Sequence, residues 1–322
     1  MRAALITELN GPDGIEVREL PDPQPGKGEV RIRVESAGVN FPDLLMSRGL
    51  YQVSPPPPFP PGGEVAGVID AVGEGVERLA VGDRVMGTMF FGGFATLMCL
   101  PEVRVTKLPE SMDTTTAGAF SFTYATSYHG LVDRGALARG ERLLVLGAAG
   151  GVGLAAVEIG RALGAEVVAA ASTDEKLALC RERGATHTIN YTTQDLGKTL
   201  KAMGGVDVVY DPVGGDYAET ALRRLRPDGR FLVIGFAAGS IPKIGLNLPL
   251  LKECQIVGVA WGAWTMRHPD RHDANLKALF HHFEAGEVKP HVSHRYRLDE
   301  VPDALRAMDE RRVLGKVVIE PQ

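Results

Sequence analysis

The sequence predicts an α/β chain of two domains, one a small barrel of short strands and the other a doubly wound parallel sheet. Three observations carry this. Up to about residue 122, short β-branched runs are cut at close spacing by Gly, Pro and Asp, as in a small barrel or sandwich. From about residue 123, apolar strand-like runs alternate with helical runs, each helix followed by the glycine of a left-handed cap. One of the strand-to-helix turns is glycine-rich, as a nucleotide-binding turn is. The 322 residues suit two domains of ordinary size. Glycine is abundant, 39 of 322 against an average of about 7%, and it sits at turn positions along the whole chain.

In order, "EVRIRVESAGVN" (29–40) alternates charged and apolar residues with period two and reads as a half-buried strand. "SPPPPFPPGG" (54–63) has few backbone donors and cannot be helix, so it reads as a stiff extended loop. "GEVAGVIDAVGEGV" and "VGDRVMG" are further short strands. "RLLVLG" (142–147) then starts the second pattern as a buried strand, followed by the helix "GVGLAAVEIGRALG" and the strand "AEVVAAA". The helix "TDEKLALCRERG" and the strands "THTIN" and "VDVVYD" (206–211) continue it. "YAETALRRLRPDG" reads as a helix with its exit turn, "RFLVIG" (230–235) as the next strand, and "QIVGVAWG" (255–262) as the strand that closes the sheet. A polar helix, "HDANLKALFHHFEAG", and a strand, "GKVVIE", end the chain and are expected to return to the first domain.

Several function classes fall away. A net charge of −5 without clustered positive charge does not suit a nucleic-acid or membrane surface. Cys99, Cys180 and Cys254 are scattered with no CxxC, so neither a disulfide framework nor a thiolate zinc site is expected, and a reducing cytoplasm is the simple reading. The first residues have no signal-peptide pattern, and the apolar stretch 143–157 is too short to span a bilayer. His268 and His272 have a spacing that can bind metal on a helix, but Pro269 interrupts it and no HExxH accompanies them. No GxSxG marks a serine nucleophile.

The turn "VLGAAGGVGLAAVEIG" holds GxGxxG with Ala148 in the first glycine position. Gly150 lets a pyrophosphate approach the backbone, Gly153 lets helix and strand pack closely, and Gly151 and Val152 open a helix whose N–H groups face the phosphates. An acid that binds the adenosine ribose is expected about 20 residues on. That position falls on 170–172, where there is none. Asp174 and Glu175 follow, and a displaced acid would mean NADH. The alternative takes 172–175 as a capping box begun by Ser172, which commits Glu175 to the backbone. Ser172, the helix start and Lys176 then form a pocket for a 2′-phosphate, and the cofactor is NADPH.

The blocks "AGVNFPDLLMSRGLY" (37–51), "PPGGEVAGVIDAVGEGV" (60–76), "VGDRVMG" (81–87), "GAAGGVGLAAVEIGRALGA" (147–165), "YDPVGG" (210–215) and "GKVVI" (315–319) occur in this order. With them the chain resembles the medium-chain dehydrogenase/reductase superfamily, in its zinc-free quinone oxidoreductase (zeta-crystallin-like) branch. The resemblance implies a GroES-like barrel domain, 1–122 with 265–322, and an inserted Rossmann domain, 123–264, with the active site in the cleft. It also implies a homodimer joined through about 255–261. The zinc alcohol dehydrogenases of the superfamily need a Cys where this chain reads "GVNFPDLL" and a His where it has Gly63, so no metal is expected.

What the resemblance then implies is an enzyme: an NADPH-dependent reductase passing hydride to quinones or related conjugated carbonyls. Alternatives are an enone or enoyl-CoA double-bond reductase, or an NADPH-binding protein with little turnover. Carried over by position, Tyr51 is the candidate hydrogen-bond donor near the substrate oxygen. Asn40 and Asp43 line the cleft, although Asp43 equally suits a helix cap. Thr126 lies beside the nicotinamide and Tyr191 near the adenosine phosphate. The backbone at Gly235 and Phe236 holds the carboxamide, and Trp261 after the last strand does the same or fills the dimer face. Lys316 reaches the cofactor phosphates, or is an ordinary strand-end lysine.

Overall fold

A computed structural model describes residues 1–53 and 55–322; Ser54, the first residue of the proline-rich stretch, lies outside the described residues. The chain forms two compact units, 1–122 with 290–322, and 123–289. In the first, β1 (Arg2–Ile6) and β2 (Ile15–Glu19) make an antiparallel hairpin. Strands β3 (Glu29–Val39), β4 (Glu64–Val72), β5 (Arg84–Thr88), β6 (Leu97–Pro101) and β7 (Val105–Lys107) follow, β3 pairing with both β4 and β6. The alternation read in β3 is its burial pattern up to Ser36, beyond which 36–39 are all buried. Val30, Ile32 and Val34 face the core, while Arg31 and Arg33 turn outward to Asp70 and Glu35. The proline-rich segment is anchored at Phe59, whose backbone exchanges hydrogen bonds with Ile6.

The second unit carries β8 (Arg142–Leu146), β9 (Glu166–Ala171), β10 (His187–Asn190), β11 (Val206–Asp211), β12 (Leu225–Val233) and β13 (Gln255–Gly258). All pair in parallel, in the order β10-β9-β8-β11-β12-β13. Residues 143–146 and 167–170 are wholly buried, because helices cover both faces. The order reverses between β8 and β11, so the crevice beyond their carboxyl ends is where a ligand binds in such a sheet. After residue 289 the chain returns to the first unit as β14 (Val292–Arg297) and β15 (Lys316–Glu320), β15 pairing antiparallel with β3. No helix of the described residues is long and apolar enough to cross a membrane.

Three expectations are corrected. The return to the barrel is at Pro290, not 265. The helix Pro269–Glu284 belongs to the nucleotide unit: it buries Leu276 and Leu279, and Arg271 and Asn275 both bond Asp133. Pro269 opens that helix rather than interrupting it, since its missing N–H costs nothing in the first turn. The triplet Pro227-Asp228-Gly229 is not an exit turn. It lies inside β12, where a register shift and a left-handed Asp228 (φ 61°) absorb it as a bulge.

Candidate functional site

The phosphate loop is built by close approach. Gly147 ends β8 with φ 58°, and a Cβ there would stand 2.8 Å from Val213. A Cβ at Gly153 would lie 2.3 Å from Gly147 O, so only glycine lets the helix Gly151–Ala162 start this near its strand. Gly150 is the N-cap of that helix with an ordinary φ of −79°, and a Cβ on it would meet only Gly147 O, at 3.4 Å. The first-turn N–H groups of this helix have no partner within it and point at the loop mouth. Val152 accepts a hydrogen bond at its carbonyl from Ser127 Oγ, 2.9 Å away, and Ser127 in turn meets the buried Tyr210 hydroxyl at 2.8 Å. The helix Ser121–Tyr128, which also carries half-buried Thr126, is thereby tied to the loop.

At the end of β9 the cap differs from the expectation by one residue. Thr173, not Ser172, is the N-cap of the helix Asp174–Glu182, its side chain accepting from Lys176 N at 3.2 Å. The capping box read at 172–175 is therefore not formed. The shift releases Ser172: its Oγ lies 3.3 Å from Lys176 Nζ, so a hydroxyl, an ammonium and a helix start stand together. Asp174 is exposed, and its carboxylate accepts from Asn190 Nδ2 at 2.9 Å. Tyr191 packs against Tyr217, the rings tilted with centroids 4.5 Å apart, over the core.

Beyond β11, Asp211 folds back on its own turn and accepts from the N–H of Val213 (2.8 Å) and Gly214 (2.9 Å). Burial raises its carboxyl above the ordinary range. That turn supports the loop after β12, where Gly235 N bonds Asp211 O and the Phe236 ring covers Gly214. Gly235 and Phe236 are half-buried there. Trp261 is only 5% exposed, opens a helix and meets His272 edge-on at 5.5 Å, so its indole offers little surface to a cofactor or to a dimer face.

In the barrel unit the candidate side chains are largely engaged within the protein. Asn40 caps the helix Phe41–Ser47, and its amide is used inside the protein: Nδ2 donates to Glu64 (3.0 Å) and Gly38 O, while Oδ1 accepts from Lys316 Nζ (2.7 Å). Asp43 is 1% exposed and accepts from the backbone N–H of Asn40 (2.8 Å) and Gly62 (3.0 Å), so it caps the helix, the second of the two roles expected for it. Burial pushes its carboxyl up to about 7, against the pull of those two N–H groups and of Lys316. Lys316 is not a solvated strand-end lysine. It is 3% exposed, with Nζ 2.5 Å from Glu64 and 3.1 Å from Val39 O. Glu64 also accepts from Ser121 Oγ and Phe122 N. Tyr51 is half-buried against the barrel core; burial, and then the charge of Asp43, raises its hydroxyl pKa.

Sequence reasoning missed Asn190, whose signal was an Asn-x-Thr turn directly after a strand, and the Glu64–Lys316 pair, which had no local signal. Among the described residues no three His, Cys, Asp or Glu stand grouped as a metal site. Where the zinc enzymes carry their histidine, a Cβ on Gly63 would already stand 3.1 Å from Met89 O and 3.3 Å from the Phe122 ring.

Two family models match, the alcohol dehydrogenase GroES-like domain over residues 26–110 and the zinc-binding dehydrogenase over residues 151–275. The chain is 37% identical to the quinone oxidoreductase-like protein 2 homolog of Nematostella vectensis, over 99% of this chain and 88% of that one. It is 32% identical to the human synaptic vesicle membrane protein VAT-1 homolog, over 100% and 86%. Among solved structures, the NADPH complex of Escherichia coli quinone oxidoreductase superposes with a TM-score of 0.92 at 26% identity, covering 100% of both chains. The quinone oxidoreductase of Thermus thermophilus, also solved with NADPH, superposes at 0.87 with 33% identity and the same coverage. Full-length identity and both matched domains place the chain in the medium-chain dehydrogenase/reductase superfamily, in its quinone oxidoreductase branch.

Proposed function

We propose that this chain is an NADPH-dependent reductase that passes hydride to quinones or related conjugated carbonyls without a metal. The observation that carries the reading is the pairing of Ser172 Oγ with Lys176 Nζ at a helix start, where an NADH enzyme has an acid. The NADPH complexes of two similar quinone oxidoreductases support the same cofactor. The Gly150–Val152 turn would hold the pyrophosphate, Ser172 and Lys176 the 2′-phosphate, and Tyr191 the adenosine side. The backbone at Gly235 and Phe236 and the Thr126 side chain would orient the nicotinamide. When bound, NADPH supplies the hydride. Negative charge then builds on the substrate oxygen, where a modest donor suffices. Tyr51 is that donor: a phenol is protonated at neutral pH, and burial raises its pKa further.

The residues present do not fit a catalytic zinc, despite the name of one matching family model. Gly63 supplies no ligand, and the Glu64 carboxylate is engaged by Lys316, Asn40, Ser121 and Phe122. Homodimerisation through β13 belongs to the same reading. That edge strand exposes Ile256, and Leu246, Leu250 and Leu251 beside it are 75–85% exposed. Sedimentation of the wild type as a monomer would remove that part.

The cofactor reading is tested by Lys176→Glu. It should weaken NADPH binding by about a hundred-fold, since a favourable charge pair becomes a repulsive one, and leave NADH within a few-fold. Equal losses for the two nucleotides would show that the 2′-phosphate is held elsewhere.

A further inference from the structure

The acid nearest to the nucleotide pocket is restrained. Asp174 lies two residues beyond Ser172, is exposed, and opens the helix that bears Lys176. Its carboxylate is held by a side chain from the neighbouring strand. Asn190 ends β10 opposite Ala171, the last residue of β9, and is only 7% exposed. The orientation of its amide is set by its surroundings. Oδ1 faces two donors, Thr192 N at 3.1 Å and Thr192 Oγ1 at 2.6 Å, so Nδ2 is directed to Asp174 Oδ1 at 2.9 Å. Thr192 Oγ1 also lies 3.1 Å from Ser172 O, and Asn190 N donates to Gln194 Oε1 at 2.9 Å, which fastens this turn to the end of β9.

A free aspartate at this place would swing about its χ1 toward the ribose edge. It would accept the 2′-hydroxyl of NADH and repel the 2′-phosphate of NADPH. We infer that Asn190 is a specificity-determining residue that selects NADPH over NADH by tethering Asp174 to the β10 side. The inference rests on the proposed NADPH reading of the Ser172–Lys176 pair, and adds to it that selection depends on a residue with no need to touch the nucleotide.

The test measures the dissociation constants of NADPH and NADH, by nicotinamide fluorescence, for the full chain and two variants. The wild type should prefer NADPH. Asn190→Ala should lower the preference about ten-fold, the effect of one unit charge at roughly 6 Å in a partly aqueous setting. It should do so by weakening NADPH and tightening NADH together. Adding Asp174→Asn to that variant should bring the preference back to within about three-fold of the wild type. The double variant still lacks the amide that caps Thr192, so a mere folding defect would persist in it, whereas a freed charge would not. Asn190→Ala that weakens both nucleotides alike, or leaves the ratio unchanged, overturns the inference; so does a double variant that fails to restore it. A wild type that prefers NADH overturns the underlying cofactor reading, and the inference with it, before any variant is made.

Discussion

Replacing Lys316 by methionine removes the ammonium of a buried cluster while keeping the apolar volume of the stem. The Lys316 side chain is 4% exposed and that of its partner Glu64 is 0%. Nζ reaches Glu64 at 2.5 Å, Asn40 Oδ1 at 2.7 Å and Val39 O at 3.1 Å, so the change strands a charge and two acceptors. Deleting one partner of a buried pair costs about 3–5 kcal/mol. Glu64 keeps three donors, Asn40 Nδ2, Ser121 Oγ and Phe122 N, so the lower end, about 3 kcal/mol, applies here. At about 1.4 kcal/mol per power of ten, amide hydrogens of β3, β4 and β15 should lose roughly a hundred-fold in protection. Hydrogen exchange read by mass spectrometry would show this. The double variant with Glu64→Gln, which removes the stranded charge, should recover most of the loss. Unchanged protection in Lys316→Met together with weakened NADPH binding would refute the reasoning and return Lys316 to the role of a phosphate ligand.

Two further outcomes follow from the same geometry. The Asp43 carboxyl rises from its ordinary 3.8 to about 7 on burial, so between those values the folded state keeps a proton that the unfolded state has lost. Its contribution to stability is therefore greatest below about pH 4 and is lost as pH rises to about 7; urea midpoints across that range should fall less steeply in Asp43→Asn than in the wild type. At the phosphate loop, Gly150→Ala meets only Gly147 O at 3.4 Å and should leave the melting temperature within about 2 °C while weakening NADPH at least ten-fold. Gly153→Ala, 2.3 Å from the same oxygen, should lower both, and thermal melts with nucleotide titrations separate the two.

What could be read from the chain alone was what is local. The loop at 147–153 is contiguous, and Gly150 and Gly153 both face Gly147 O a few residues away, so strand, turn and helix appear in one short window, although Gly147 itself is constrained by the distant Val213. The N-cap at 173 instead of 172 shows the limit of such reading. Ser is the better cap of the two in general, yet the choice depends on where β9 stops, which is set by the pairing of Ala171 with Asn190. Asn40 and Asp43 belong to a helix cap that a local pattern allowed, but the Asn40 amide is engaged by Lys316, 276 residues on, and Asp43 by Gly62 N. Glu64 and Lys316 are 252 residues apart, and only the antiparallel pairing of β3 with both β4 and β15 brings them together. The boundary misplaced at 265 has the same origin: residues 265–289 are polar and helical like many connectors, and their allegiance lies in contacts with Asp133 and Glu158.

The proposed reaction is hydride transfer from NADPH to a conjugated carbonyl without metal. The most direct measurement is anaerobic oxidation of NADPH and NADH in parallel, against a quinone, a simple enone and an enoyl-CoA, with chelator-treated enzyme. Turnover with the quinone is expected, with NADPH at least about ten-fold ahead of NADH in kcat/KM and no change on adding zinc. Turnover that requires zinc, or that runs on NADH in preference, would contradict it.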